Sequence, residues 1–281
     1  MKKGLVLEGG AMRGLFSAGV IDVLMENGVT FDGVIGVSAG ACFGCNIKSH
    51  QPGRVIRYNK AMAHEWRYAS LRSLLTTGDY FGGDFCYHYL PWHIDVFDKH
   101  SYDNDSSEFW CVCTDVETGE PVYEKFDTVN DEMLEYIRAS ASMPVVSKVV
   151  EIKGKKLLDG GISDSIPLKF FQRQGYERNI VVLTQPEGYV KTRNRLLPLM
   201  KPFIRKYPEL VHALSTRHDM YNGQTAYVRD EEKAGRAFVI RPAGALTIGH
   251  ISHNPDEMQD TYERGRQQAL ASLSEIKHFL E

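Results

Sequence analysis

Three observations on this 281-residue chain predict an α/β fold with a mostly parallel central sheet flanked by helices on both faces. Short apolar runs, GLVL at 4–7 and VIGV at 34–37, are each followed by a helical stretch. The links between them are short and rich in glycine. The runs show no polar alternation, which marks strands covered on both sides, the setting of a parallel sheet.

The elements follow in order. Lys2 and Lys3 precede only a short apolar run, which breaks at Glu8 and two glycines, so Gly4–Leu7 reads as a first strand rather than a signal peptide. Met12–Glu26 reads as a helix, with Leu15, Ala18, Val20, Ile21 and Leu24 apolar and Gly28 near its end. Val34–Val37 is a second buried strand, and a helix starts at Ala39. Phe109–Thr114 is a third strand, Val129–Ala141 a helix that ends before Pro144, and Lys148–Leu158, split by Lys153-Gly154, a hairpin. Ile180–Thr184 and Ala237–Arg241 are further strands, and Pro255–Phe279 is a long polar helix. With no repeat and no low-complexity linker, one domain over 1–281 is expected, its motif-bearing core at 4–185 and its C-terminal part, 186–281, peripheral and helical. Residues 50–108 and 186–230 read as insertions or peripheral helices.

Hydrophobic content of 43% and charged content of 25% are ordinary for a soluble globular protein. A net charge of -3 argues against nucleic acid as a partner. No apolar stretch reaches the roughly 18 residues of a membrane span, so a cytoplasmic location is expected. The five cysteines have no framework spacing and fit reduced thiols. Cys42-x-x-Cys45 is a lone pair one helical turn apart, read as buried small hydrophobes rather than a metal or redox site.

Gly36-Val37-Ser38-Ala39-Gly40 matches G-x-S-x-G between a strand and a helix. On such a turn the serine is a nucleophile held at the strand end, with the helix dipole favouring an alkoxide. The bland alternative is a tight turn with an N-cap serine. After the first strand, Glu8-Gly9-Gly10-Ala11-Met12-Arg13-Gly14 offers clustered amides for an oxyanion, and Arg13 to fix the loop or hold an anionic group. A dinucleotide fingerprint competes, but aligning its last glycine to Gly14 puts Ala11 at the middle glycine, and no G-K-[ST] follows for a P-loop. A serine nucleophile needs a base. His250 and His253 stand late in the chain, in no distinctive context. Leu157-Leu158-Asp159-Gly160-Gly161 presents a carboxylate at a strand end, either as a base or as a plain Asp-Gly turn.

EGGAMRG, GVSAG and LLDGG, in that order, resemble the patatin-like phospholipase family of serine acylhydrolases. The resemblance covers about residues 4–185 and includes Arg138-Ala-Ser-Ala-Ser-Met-Pro144, which is similar to the family segment before the aspartate. It implies a three-layer α/β/α fold and a Ser–Asp dyad, Ser38 as nucleophile and Asp159 as base. It implies an oxyanion hole at Gly9, Gly10 and Ala11, with Arg13 as loop anchor and Gly14, Gly36, Gly40, Gly160 and Gly161 in support. The sequence departs from the pattern at Ala11, where many relatives carry glycine; a methyl there is tolerated if φ is negative. The implied substrate is a fatty-acyl ester of a phospholipid, lysophospholipid or related lipid, with no metal or other cofactor. A His-dependent esterase on small esters, and a non-catalytic lipid- or nucleotide-binding protein, are the alternatives.

Two stretches bear on the substrate. Aromatics from Tyr80 to Trp110 can line an acyl pocket or pack the core. Residues 191–206 mix Lys191, Arg193, Arg195, Lys201, Arg205 and Lys206 with Leu196, Leu197, Leu199, Met200, Phe203 and Ile204, as a membrane-contacting surface does, although Pro198 and Pro202 break any long helix. A solvated surface with one buried side is the alternative reading. Contact would be with the inner face of the membrane.

Overall fold

The computed structural model describes residues 1–281. The first half of the chain builds β1 (Lys2–Leu7), α1 (Gly14–Glu26), β2 (Gly33–Val37) and α2 (Ala39–Lys48). Four short helices follow, α3 (Arg54–Ala61), α4 (Leu71–Thr77), α5 (Leu90–His93) and α6 (Lys99–Asn104), before β3 (Glu108–Asp115) and β4 (Pro121–Phe126). Next come α7 (Asp131–Ser140), the hairpin β5 (Val150–Ile152) and β6 (Lys155–Asp159), α8 (Leu168–Arg173) and β7 (Tyr176–Val182). The chain closes with α9 (Leu197–Ile204), α10 (Pro208–Lys233), β8 (Ala237–Ile240), α11 (Pro255–Ala271) and α12 (Leu273–Leu280).

The eight strands form one sheet in the order β5-β6-β3-β2-β1-β7-β8, with β4 also paired to β3. Its centre is parallel, through β3–β2, β2–β1, β1–β7 and β7–β8. The β3–β4, β3–β6 and β5–β6 pairings are antiparallel, so the sheet is mixed at one end. β4 has no counterpart among the predicted strands. It begins at a proline, carries Glu124 and Lys125, and is only partly buried, so it lacks the apolar run that marks the central strands.

Successive side chains of the central strands point to opposite faces. Leu5 and Leu7 of β1 join Phe109, Cys111 and Cys113 of β3 in the larger core, beneath α1, α2, α7, α11 and α12. Val6, Ile35, Val37, Val112 and Val181 face the other way, onto Leu168 and Phe171 of α8 and Tyr221 and Val228 of α10. Helices therefore cover both faces. The helix expected over 255–279 is two helices, and the break at Ser272 lets Ile276 and Leu280 turn into the core. Residues 186–281 are not helical throughout: they supply β8, which pairs with β7 at the edge of the sheet.

The registers explain how two distant motifs meet. β4 occupies one edge of β3 from Phe109 to Thr114. On the other edge β2 runs up to the pair Val37–Val112, and β6 arrives from the opposite direction at the pair Asp159–Cys113. The ends of β2 and β6 thus abut at consecutive residues of β3. β1 lies on the far side of β2, which brings the loop after β1 to the same crevice at the carboxyl ends of the parallel strands.

Candidate active site

Ser38 stands between β2 and α2 with φ 56° and ψ -124°. A non-glycine residue held in such a region costs about 1–3 kcal/mol. It is not an N-cap of the ordinary kind, because its side chain caps no amide of α2 and its backbone is not extended. The turn closes only because its flanking residues lack side chains. A Cβ on Gly36 would lie 2.5 Å from the Ala41 nitrogen, and one on Gly40 2.5 Å from the Leu7 oxygen. The strained residue is tied from outside: its N–H donates to Ser140 Oγ at 2.8 Å, and that hydroxyl donates to the Val112 carbonyl at 2.6 Å.

Ser140 is delivered by the last residue of α7. That helix starts at Asn130, whose side-chain oxygen accepts from the Met133 N–H at 2.9 Å. Just past its end, the Ser142 carbonyl accepts the N–H of Asp159 at 2.8 Å. One short segment therefore fixes both the elbow and the carboxylate.

Asp159 ends β6 and is 3% exposed. Its Oδ1 accepts the Gly161 N–H at 2.8 Å. Burial raises its pKa above the usual aspartate value, while Arg217, the Ser38 hydroxyl and the Gly161 amide draw it part of the way back. Arg217 also donates from Nε to the Gly161 carbonyl at 2.5 Å, so α10 holds the loop that carries Asp159. Gly160 lies directly against the Val112 carbonyl.

The glycine-rich loop after β1 lies beside the serine: a Cβ on Gly9 would stand 2.8 Å from Ser38 Cβ. The N–H groups of Gly9 and Gly10 donate to no protein acceptor. Gly14 sits against Ala39 and Phe43, where α1 begins to pack on α2. Ala11 does not have the negative φ expected of an alanine; φ is 51°, in the left-handed region. The methyl is therefore carried at a strain cost of roughly 1–2 kcal/mol. The side-chain hydrogen bonds that hold the loop come from Glu8 and Thr184, and none from the Arg13 side chain. Glu8 Oε2 accepts the Thr184 N–H at 2.6 Å, Glu8 Oε1 accepts the Tyr221 hydroxyl at 2.7 Å, and Thr184 Oγ1 donates to the Gly9 carbonyl at 2.9 Å. Glu8 is buried, and burial pushes its pKa up. The Arg13 guanidinium makes no ion pair, and its buried Nε has no hydrogen-bond partner.

These groups open onto a cavity of about 770 Å³. Ser38, Asp159 and the 8–13 loop line it together with Tyr58, Phe81, Tyr87 and Phe97. The aromatic stretch thus divides: Tyr80, Phe81, Tyr87 and Phe97 reach the cavity, whereas Tyr102 and Phe109 are buried in the core. The volume lies within the roughly 300–1,000 Å³ of small-molecule pockets. At its rim stand Leu196, Leu199 and Phe203, which are 62%, 71% and 71% exposed.

Neither late histidine hydrogen-bonds Ser38. His253 is engaged at both ring nitrogens, with the Ala63 carbonyl at 2.8 Å and the Tyr80 hydroxyl at 3.2 Å. His250 lines the cavity, and burial and nearby cations push its pKa down. Ser140, Arg217 and Tyr221 were not singled out from sequence. Ser140 lies in the quoted Arg138–Pro144 segment, but nothing in the spacing shows which serine turns toward the elbow. Arg217 and Tyr221 stand one turn apart in a polar helix, with no motif around them.

The family model described as patatin-like phospholipase matches residues 5–171. A second, described as a domain of unknown function (DUF6363), matches residues 207–281. The chain is 32% identical to the uncharacterized protein YjjU of Escherichia coli strain K12, over 93% of this chain and 74% of that protein. It is 28% identical to lysophospholipase nte1 of Aspergillus fumigatus, over 61% of this chain but only 11% of that much longer protein. Among solved structures, VipD from Legionella pneumophila is similar over 98% of this chain and 67% of its own, at 14% identity and a TM-score of 0.48.

Proposed function

The chain belongs to the patatin-like phospholipase family, and from that premise we propose that it is a serine acylhydrolase of lipid fatty-acyl esters, of phospholipase A or lysophospholipase type. The observation that carries the reading is the strained Ser38 beside a buried carboxylate, Asp159, at the end of a largely apolar cavity. Ser38 Oγ attacks the ester carbonyl carbon as its proton passes to Asp159. The oxyanion accepts N–H groups of the Gly9, Gly10 and Ala11 loop. Collapse breaks the ester C–O bond, and the leaving alkoxide takes the proton from Asp159. Water then attacks the acyl-Ser38, giving its proton to Asp159, which returns it to Ser38 as the fatty acid leaves.

Gly36 and Gly40 support the elbow, Gly160 and Gly161 the aspartate loop, and Gly14 the seat of the oxyanion loop. No step calls for a metal or an organic cofactor. A histidine-dependent mechanism has no support from the geometry, since no histidine hydrogen-bonds Ser38. Residues 1–281 act as one domain in this reading, because α10 reaches the loops on both sides of the serine and β8 extends the same sheet. The exposed Leu196, Leu199 and Phe203 at the cavity rim, with Lys201, Arg205 and Lys206 beside them, support contact of 191–206 with an anionic membrane surface. Release of fatty acid from a lysophospholipid by the purified chain, abolished in a folded Ser38→Ala variant, tests the activity. No turnover of any acyl ester by the folded wild-type chain would reject it. Co-sedimentation with anionic vesicles at low salt tests the contact, and absence of binding there rejects it.

A further inference from the structure

The cavity holds a set of basic groups that touch no reacting atom in the hydrolytic mechanism. Arg13, Lys191, Arg217 and His250 all line it, and none of the four forms an ion pair with a carboxylate. The only carboxylates among the lining residues are Glu8 and Asp159, and both are committed. Glu8 is held by the Thr184 amide and the Tyr221 hydroxyl, and Asp159 by the Gly161 amide.

The cations are fixed in place by other bonds. Lys191 is pinned to α10 through its backbone: its N–H donates to Asn222 Oδ1 at 2.8 Å, and its carbonyl accepts from Asn222 Nδ2 at 3.0 Å. Its ammonium lies 4.5 Å from the centre of the Tyr221 ring. Arg217 is set by the Gly161 carbonyl, and the His250 carbonyl accepts the Met12 N–H at 3.4 Å, tying that residue to the oxyanion loop. The charges act on one another. Burial, Arg217 and Arg13 push the Lys191 pKa down to about 8 despite the opposing pull of Glu8, and Arg13, Lys191 and Arg217 all press on His250. Mutually repelling cations gathered in a half-buried cleft are stabilised when an anion joins them.

The geometry points to a cationic pole, formed by Arg13, Lys191 and Arg217 with the His250 imidazole beside them, that receives a phosphate-type oxyanion carried close to the scissile ester. The substrate is then a net-anionic, phosphate-bearing acyl ester, preferred over neutral acylglycerols and zwitterionic lipids. This rests on the acylhydrolase reading and gives the C-terminal part of the chain a share in choosing the substrate. Two of the three cations, Lys191 and Arg217, and the imidazole of His250 come from residues beyond 186. A choline ammonium brought to the same place would meet like charge and no free carboxylate.

The test separates binding from turnover. Equilibrium binding of 1-oleoyl lysophosphatidate, 1-oleoyl lysophosphatidylcholine and 1-oleoylglycerol is measured below their aggregation thresholds on the Ser38→Ala chain. Lysophosphatidate is expected to bind at least about tenfold more tightly than either oleoylglycerol or lysophosphatidylcholine, the value of one hydrogen bond to a charged group. Lys191→Met in the same background is expected to remove most of that difference, and inorganic phosphate to compete only weakly. Lysophosphatidate binding no more tightly than lysophosphatidylcholine or than oleoylglycerol, or an equal loss for all three on Lys191→Met, overturns the proposal. Inorganic phosphate binding as tightly as lysophosphatidate assigns the cations to a free-phosphate site and overturns the substrate statement. Turnover by the Ser38 chain is then followed with the same lipids. Selective binding without cleavage leaves the anion site standing and fells the acylhydrolase reading. Equal cleavage and equal binding of all three does the reverse.

Discussion

Two fully buried serines give the sharpest stability test, because the same substitution is expected to act in opposite directions. Ser140 Oγ accepts the Ser38 N–H and donates to the Val112 carbonyl. Ser17 Oγ is buried with no partner. In Ser140→Ala, an orphaned Ser38 N–H costs roughly 1–3 kcal/mol, and the lost bond to Val112 about 0.5–1.5 kcal/mol more. The expected destabilisation is about 1.5–4.5 kcal/mol. In Ser17→Ala, a polar group that gains nothing from its burial is removed, and stability is expected to rise by up to about 1 kcal/mol. Urea unfolding of both variants measures the difference. The elbow adds a second readout. Its strain of roughly 1–3 kcal/mol is comparable with the bond that opposes it. Without Ser140 Oγ the turn relaxes, and labelling of Ser38 by a fluorophosphonate is expected to slow by about tenfold or more. Ser17→Ala should label at the wild-type rate. A Ser140→Ala chain that is as stable as wild type and labels as fast would refute the claim that this hydroxyl holds the nucleophile.

Three further outcomes follow. Ala11→Gly removes a left-handed strain of roughly 1–2 kcal/mol and adds a backbone-entropy cost of about 0.5–1 kcal/mol. The variant should be as stable as wild type or up to about 1.5 kcal/mol more stable, and a clear loss in thermal unfolding would contradict the conformation at Ala11. The base must be ionised, and burial raises the pKa of Asp159, so kcat/KM should fall as pH drops through a midpoint above the ordinary aspartate value of about 3.9. Arg217 opposes that rise, so Arg217→Met should move the acid limb to higher pH; a shift to lower pH would contradict the assignment. Lengthening the acyl chain of a p-nitrophenyl ester within the cavity should raise kcat/KM by up to about fourfold per methylene, the worth of about 0.8 kcal/mol of burial. A flat series from short to medium chains would argue that the acyl group lies elsewhere.

The central strands were legible because burial on both faces leaves a plain apolar run, as in GLVL, VIGV and IVVL. The three motifs were legible because each sets glycines where neighbouring backbones come close, in two of them beside a serine or an aspartate. What the sequence hid was held by polar side chains acting over long separations. α10 carries Arg217 to the Gly161 carbonyl and Tyr221 to Glu8, but its residues show no apolar stripe that would announce a helix against the active site. β4 was hidden for a related reason: an edge strand half open to solvent carries charges among its apolar residues. The positive φ of Ala11 was also out of reach, since a side chain alone does not reveal the conformation that surrounding bonds impose on it.

The dyad itself is tested most directly by fluorophosphonate labelling of wild type, Ser38→Ala and Asp159→Asn, with ester turnover followed on the same samples and folding checked by circular dichroism. The account predicts that wild type labels and turns over, that Ser38→Ala does neither, and that folded Asp159→Asn loses turnover. Near-wild-type turnover by a folded Asp159→Asn chain would contradict it and place the base elsewhere.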